Sequence, residues 1–426
     1  MKKKENNRVL FLILWIVVIL YKFAMEWGYV YILSADTVTY PLDFDLFKYI
    51  NGWIWSIILF GCINHKAHKP SSFMLMMLYI LQVIPITCAY AFANESALYY
   101  NLLCSAICMV EIICGWLENN KRLKYYKINS CYFLTIFIVV TVIVLIMVYK
   151  NNGLPTLTAL NIYKVYELRA SGVFQLSKYA NYIFNWTIRV ILPFMLAWSL
   201  IKKKYILGIA SVCLIFIFYL YTGMKSYLFC IPLVILCACW SKRKDMYLEL
   251  WICFCCGFVL LVFLACYSPI LKDEIGRVYS LFGRRVMMDS AVNKFKYFDF
   301  FTNNPKLGMA GIFPRWLVNF DNPYEGEVIG KLISAKYYNN TEMNSNTGFL
   351  AEGYMRFGYI GIYFVLIIYG GILRLLDRMK QRSGYSIAVT GFVFPFFVLA
   401  DGQLLGELFF SYWMIIILVM LFYKEK

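Results

Sequence analysis

Along this chain, apolar stretches near 20 residues long alternate with short polar breaks, and the alternation is interrupted once by a long polar stretch from Ser268 to Ser345. Apolar runs of about 20 residues match the hydrocarbon core of a bilayer, where an unpaired backbone is so costly that each run has to be helical. The pattern predicts spans near Val9–Met25, Leu46–Ile63, Phe73–Ala93, Ala97–Leu117, Ile128–Tyr149, Asn181–Ile201, Tyr205–Thr222, Ser226–Trp240, Tyr247–Tyr267, Asn346–Leu373, Gly384–Ala400 and Leu404–Tyr423. The expected fold is an all-α polytopic membrane protein of about 12 transmembrane helices, a single integral membrane domain with its large loop between helices 9 and 10.

Composition agrees, because 62% of residues are apolar and only 15% are charged, which excludes an ordinary soluble domain. The formal charge of +17 calls for a topological reading before a nucleic-acid one. With the N-terminus in the cytoplasm, Lys2–Lys4, Lys66, Lys69, Lys121, Arg122, Lys202–Lys204, Arg243, Arg374, Arg378, Lys380 and Lys424 all fall in inner segments. The short outer segments Ser34–Asp45, Asn94–Ser96 and Asp401–Gln403 hold no Lys or Arg, so the positive-inside rule predicts that both termini are cytoplasmic. Two long outer loops, about 150–180 and 268–345, are themselves basic. Long translocated loops escape the orientation bias, so their charge points to an anionic partner such as a pyrophosphate, or to lipid headgroups.

The 14 cysteines lie within or at the ends of apolar spans, and even Cys253, Cys255 and Cys256 have no histidine or acid beside them. They read as packing material rather than metal ligands or disulfides. The only histidines, His65 and His68, sit in a short inner loop, so no metal or cofactor is expected, and Val9–Met25 reads as a retained anchor. Within the large loop, Ile275, Val278, Tyr279, Phe282 and Val286 recur at helical spacing while Arg277, Arg284, Arg285 and Asp289 largely take other positions. That spacing predicts an amphipathic helix on the outer surface. Asn303–Gly311 and Asn319–Gly326 are rich in turn-forming residues, and a loop this long is usually functional.

Charges inside spans are functional candidates by default, which singles out Arg189 and Arg356. Glu352 precedes Arg356 by four residues, so the two share a helix face and can pair, either as a lock between helices or at a substrate. Lys22 and Glu26 have the same spacing and read as an interfacial pair.

The run Asn346-Thr347-Gly348-Phe349-Leu350-Ala351-Glu352, continuing through Arg356-Phe357-Gly358 and Gly361, resembles the late-helix signature of bacterial oligosaccharide repeat-unit polymerases of the Wzy type. The order of long loops is similar too, as are Tyr221-Thr222-Gly223-Met224-Lys225-Ser226 and Gly283-Arg284-Arg285. A family spacing of an arginine and a glycine eleven positions on is met by Arg315 and Gly326, whereas Arg169 has Ala180 where the glycine would stand.

The resemblance implies a GT-C-like architecture in the bacterial inner membrane, without metal or cofactor. It implies a glycan leaving undecaprenyl pyrophosphate for a sugar hydroxyl of the next lipid-linked repeat unit, with a chain-length regulator as a further partner. Arginine forks can stabilise a departing pyrophosphate, so Arg284, Arg285, Arg277, Lys225 and Arg169 are the expected carrier-binding residues, joined by Arg189, Arg315 and Arg356. With no outer histidine, a carboxylate has to act as general base, and Glu352 and Asp289 are the candidates, with Glu167 beside Arg169. The competing reading makes these acids partners that hold arginines in place. An O-antigen ligase would share the arginines but relies on an outer histidine. A lipid-linked oligosaccharide flippase would show shorter outer loops, internal repeats and more mid-membrane cations.

Overall fold

The computed structural model describes residues 2–64, 68–116, 128–155, 157–161, 165, 168, 172, 174–241, 243, 246–267, 272–314, 317–318 and 320–425. The candidates Arg169 and Arg315, with Glu167 and His65, lie outside these residues. Among the described residues, eight helices are long and apolar enough to cross a membrane: Val9–Leu33, Pro70–Phe92, Ala97–Cys114, Ser130–Asn152, Lys178–Ile201, Tyr205–Thr222, Tyr247–Tyr267 and Phe349–Ser383. Shorter apolar helices, Leu46–Cys62, Lys225–Trp240, Tyr385–Leu399 and Tyr412–Phe422, lie at the remaining predicted spans. This is the make-up of a helical, multi-pass membrane protein. Exposed apolar residues form stripes at helical spacing, as with Val9, Leu12, Ile16, Leu20 and Phe23, the pattern of a helix whose outer side meets lipid.

Local chemistry sets many of the ends. Asp45 accepts from the Lys48 amide at 2.9 Å, Asn129 and Ser177 cap the helices that follow them, and Pro70 opens its helix where no amide partner is needed. The chain divides into two compact units. The first comprises Met1–Glu118, Asp245–Gly371 and Leu399–Gly406; the second comprises Asn119–Lys244, Ile372–Val398 and Glu407–Lys426.

In the first unit the Pro70–Phe92 helix is central, its apolar window wholly buried. The Val9–Leu33 and Tyr247–Tyr267 helices pack side by side, with the Tyr21 ring 4.9 Å from that of Phe258. Tyr90 and Tyr100 stack at 3.9 Å where the Pro70–Phe92 helix meets Ala97–Trp116. In the second unit, Phe194 packs on Phe137, Phe392 and Tyr423, and a short parallel pairing joins Ile128–Asn129 to Tyr423–Lys424.

Several expectations are extended or corrected here. The large loop carries helix where the spacing predicts it, over Lys272–Tyr279 and Ser280–Met288, and also beyond it, in Asp289–Asn303 and Ile329–Tyr338. Over Lys272–Tyr279 and Ser280–Met288 one side is exposed, with Arg277, Val278, Leu281, Phe282 and Arg285, while Tyr279, Gly283, Met287 and Met288 turn inward, and most of the Asp289–Asn303 helix that follows is buried inside the first unit. Phe295, Phe298, Phe300 and Phe301 supply apolar area there that the five-residue stripe read from the sequence did not include. The last predicted span is helical only over Tyr412–Phe422, since the Gly-containing stretch 400–411 stays irregular. Lys22 and Glu26 pair as their spacing predicts, both buried by protein, with the Lys22 ammonium 3.9 Å from the Trp53 ring.

Candidate functional site

The Phe349–Ser383 helix is broken near its start, with Phe357 at φ −127°, ψ 16° and Gly358 at φ 64°, ψ −146°. A positive φ at Gly358 is open to glycine and strained for other residues. Arg356 therefore ends a short leading helix rather than sitting ten residues into a span, and it is buried by protein. Its Nε donates to Glu352 at 2.9 Å, one terminal nitrogen donates to the Ala310 carbonyl at 2.7 Å, and the other donates to Gln403 at 3.1 Å.

Glu352 is fully buried and accepts three backbone amides as well, from Leu404 at 2.6 Å, Leu405 at 2.9 Å and Gly406 at 2.9 Å. A carboxylate offers about four acceptor positions, and here all are occupied. Of the two readings of Glu352, this geometry favours the structural one over the general base. The pair expected from the four-residue spacing is present, and it ties the 308–310 turn and the 403–406 segment to one helix.

A second cluster lies in the same unit and was not read from the sequence. Lys294, with no exposed surface, donates to Gln82 at 2.6 Å, to the Ser290 hydroxyl at 2.7 Å and to the Ser290 carbonyl at 2.9 Å, with the Ala400 carbonyl at 3.5 Å. Its charged neighbour is Asp401, whose carboxyl is also influenced by the Ser290 side chain. Burial pulls the Lys294 ammonium down to about 8 and Asp401 opposes this; burial raises the Asp401 carboxyl and Lys294 opposes that. Gly348 makes the approach possible: at φ +68°, a Cβ there would stand 2.5 Å from the Ala400 carbonyl oxygen and 3.0 Å from Lys294 Nζ.

Asp289 begins the same helix that carries Lys294 and accepts the Tyr40 hydroxyl. Burial raises its carboxyl above the usual range, while the Tyr40 hydrogen bond and the guanidinium groups of Arg284 and Arg285 work against the rise. Asp289 is also felt by Asp401, so the two carboxylates and Lys294 form one neighbourhood. Arg284 is partly buried, and its Nε is enclosed without a hydrogen-bond partner. Arg285 and Arg277 are exposed. The wide π-type turns of Ser280–Met288 set this spacing, and Gly283 lies against the Tyr279 ring, 2.6 Å from where a Cβ would be.

The first unit thus brings together Glu352 with Arg356, and Asp289 with Arg284 and Arg285. Arg189 and Lys225 belong to the second unit. There Arg189 pairs with Glu407 at 3.7 Å and lies 4.9 Å from the Tyr412 ring, an ion pair with a cation–π contact. Lys225 is partly exposed at the start of the Lys225–Trp240 helix, following Gly223 in the left-handed region at φ 62°.

The residues missed are Lys294, Asp401 and Gln82. The available signal was a lysine in an aromatic-rich stretch, Phe295-Lys296-Tyr297-Phe298 following it, and the isolated polar Asp401-Gly402-Gln403 between apolar runs. No protein-family model, curated protein or solved structure matches the chain.

Proposed function

We propose that this chain is a metal-independent membrane glycosyltransferase that polymerises undecaprenyl-pyrophosphate-linked oligosaccharide repeat units of a surface polysaccharide. The reaction would run at the outer face of the bacterial inner membrane, with both termini in the cytoplasm and a chain-length regulator as partner. The observation that carries this reading is Arg284: a guanidinium with an enclosed, unfilled Nε–H, next to Arg285 and one helical turn before Asp289. A guanidinium fork fits phosphate oxygens in two directions and stabilises charge that grows as a pyrophosphate departs. The motif around Gly348, Glu352 and Arg356 supports the same reading through its resemblance to repeat-unit polymerases.

In this scheme Arg284 and Arg285 grip the leaving pyrophosphate, with Arg277 in the helical segment just before them. Lys225 and Arg189 remain carrier-binding candidates, as do Arg169 and Arg315. Glu352 and Arg356 hold the frame. The test is purified full-length protein with lipid-linked repeat units extracted from source cells lacking this gene. Longer glycans formed in the presence of a chelator support the reading, and no lengthening overturns it.

The alternative is a lipid-linked oligosaccharide flippase. It draws on charged groups buried within apolar helices, namely Lys22, Glu26 and the fully buried Glu111. Movement of the lipid across vesicles without lengthening would select it.

A further inference from the structure

We propose that Asp401, together with Lys294 and the Gln82 that Lys294 binds, forms the subsite that receives and deprotonates the acceptor sugar hydroxyl. This inference rests on the polymerase reading and supplies the base which that reading lacks once Glu352 is accounted for.

Three observations converge on it. First, Glu352 has no acceptor position left, whereas Asp401 is partly exposed, with Lys294, Ser290 and Asp289 acting on its carboxyl. Second, Gln82 is 1% exposed and its Nε2 has no hydrogen-bond partner, although its Oε1 is held by both Lys294 and Ser290. A buried amide donor left open, on a side chain that shares Lys294 and Ser290 with the Asp401 neighbourhood, costs free energy unless something accepts from it, and a sugar hydroxyl oxygen can do so while donating its proton to the carboxylate. Third, the segment is held from both ends: Gly348 N–H donates to the Asp401 carbonyl at 3.2 Å, and Glu352 holds the amides of residues 404–406. Such a frame fixes a base to the geometry that proton transfer needs.

The step balances as a displacement. The acceptor O–H bond breaks, its proton passes to an Asp401 carboxylate oxygen, and the oxygen's electron pair forms the new bond to the anomeric carbon of the donor sugar. The anomeric carbon–oxygen bond to pyrophosphate breaks, and its electron pair leaves on undecaprenyl pyrophosphate beside Arg284 and Arg285. Lys294 does not touch the reacting atoms. As a positioning residue it keeps Asp401 ionised, and Asp289, Ser290 and Gln82 are the other groups facing that pair.

The experiment uses the full chain in detergent or nanodiscs with the extracted lipid-linked repeat units, and follows binding of undecaprenyl pyrophosphate separately. D401N should lower kcat by about 100-fold or more, a typical loss for a general base, with pyrophosphate binding unchanged and partial rescue in D401E. Gln82→Met should raise the acceptor KM several-fold with kcat largely kept. Lys294→Met should move the acid limb of the pH–rate profile upward by about one unit, a shift that a merely structural lysine would not cause. Activity of D401N within threefold of wild type, or an unchanged acceptor KM in Gln82→Met, overturns the subsite. If D401N does not fold, Gln82→Met and the pH profile of Lys294→Met decide alone. Absence of product from wild type overturns the polymerase reading itself, a result distinct from an active wild type with an active D401N.

Discussion

Two of the carboxylate–cation clusters in the first unit, one around Glu352 and one around Asp401, differ in how fully they are satisfied. Glu352 and Arg356 use nearly every donor and acceptor they own on each other and on backbone groups from residues 308–310 and 403–406. Around Asp289, Asp401 and Lys294 the accounts stay open: Arg284 Nε and Gln82 Nε2 are enclosed without partners, and Asp289 and Asp401 keep some exposure. A closed network rigidifies, whereas unfilled donors in a buried place cost stability and persist where a ligand completes them. Charge alone would have ranked the two clusters equally.

The contrast can be broken most forcefully at its closed end. Arg356→Met leaves Glu352 as a buried charge with one partner gone and strands the Ala310 carbonyl, so unfolding free energy should fall by about 3–5 kcal/mol. Thermal unfolding in detergent reads this, and a loss under about 1 kcal/mol would remove the framing role. Gly348→Ala comes next, since both the positive φ and the contacts with Ala400 and Lys294 resist a side chain; a cost of about 1–3 kcal/mol is expected in the same measurement.

At the open end the sign reverses: function should fall while stability holds. Arg284→Ala and Arg285→Ala should each lower turnover at least tenfold, about 1.4 kcal/mol of transition-state stabilisation, with unfolding temperatures within two or three degrees of wild type. Turnover unchanged in both variants would remove the arginine pair from the mechanism.

The smallest effect is a slope with pH. Lys294 holds its proton to about 8 in the folded chain but up to its ordinary 10.5 when unfolded. Between those values the unfolded state binds more protons, so this group's unfavourable contribution is present in full below pH 8 and is relieved as pH rises toward 10.5. The unfolding temperature of wild type minus that of Lys294→Met should therefore climb across that window. A flat difference would mean that Lys294 is not held against its charge.

Much of the plan is legible in the chain because it depends on local spacing. Apolar length marks the membrane helices, and a four-residue interval puts Glu352 and Arg356 on one helix face; Gly358 and Gly223, each in the left-handed region, stand where turns are needed. Periodicity reports only what one helix presents, not what it meets. The depth to which Asp289–Asn303 is buried therefore could not be read, nor the saturation of Glu352 by amides some 50 residues away, at separations of 52, 53 and 54 positions.

By itself, then, the order of residues determined the helices, their apolar faces, the turns and the local ion pairs, because each follows from interactions within a few positions of the backbone. Only the tertiary structure decided which polar groups became a site. Lys294 and Gln82 are 212 positions apart and Lys294 and Ala400 are 106 apart. Nothing local links them; they meet because packing the Asp289–Asn303 helix against Pro70–Phe92 buries an ammonium that then has to find acceptors wherever the fold provides them.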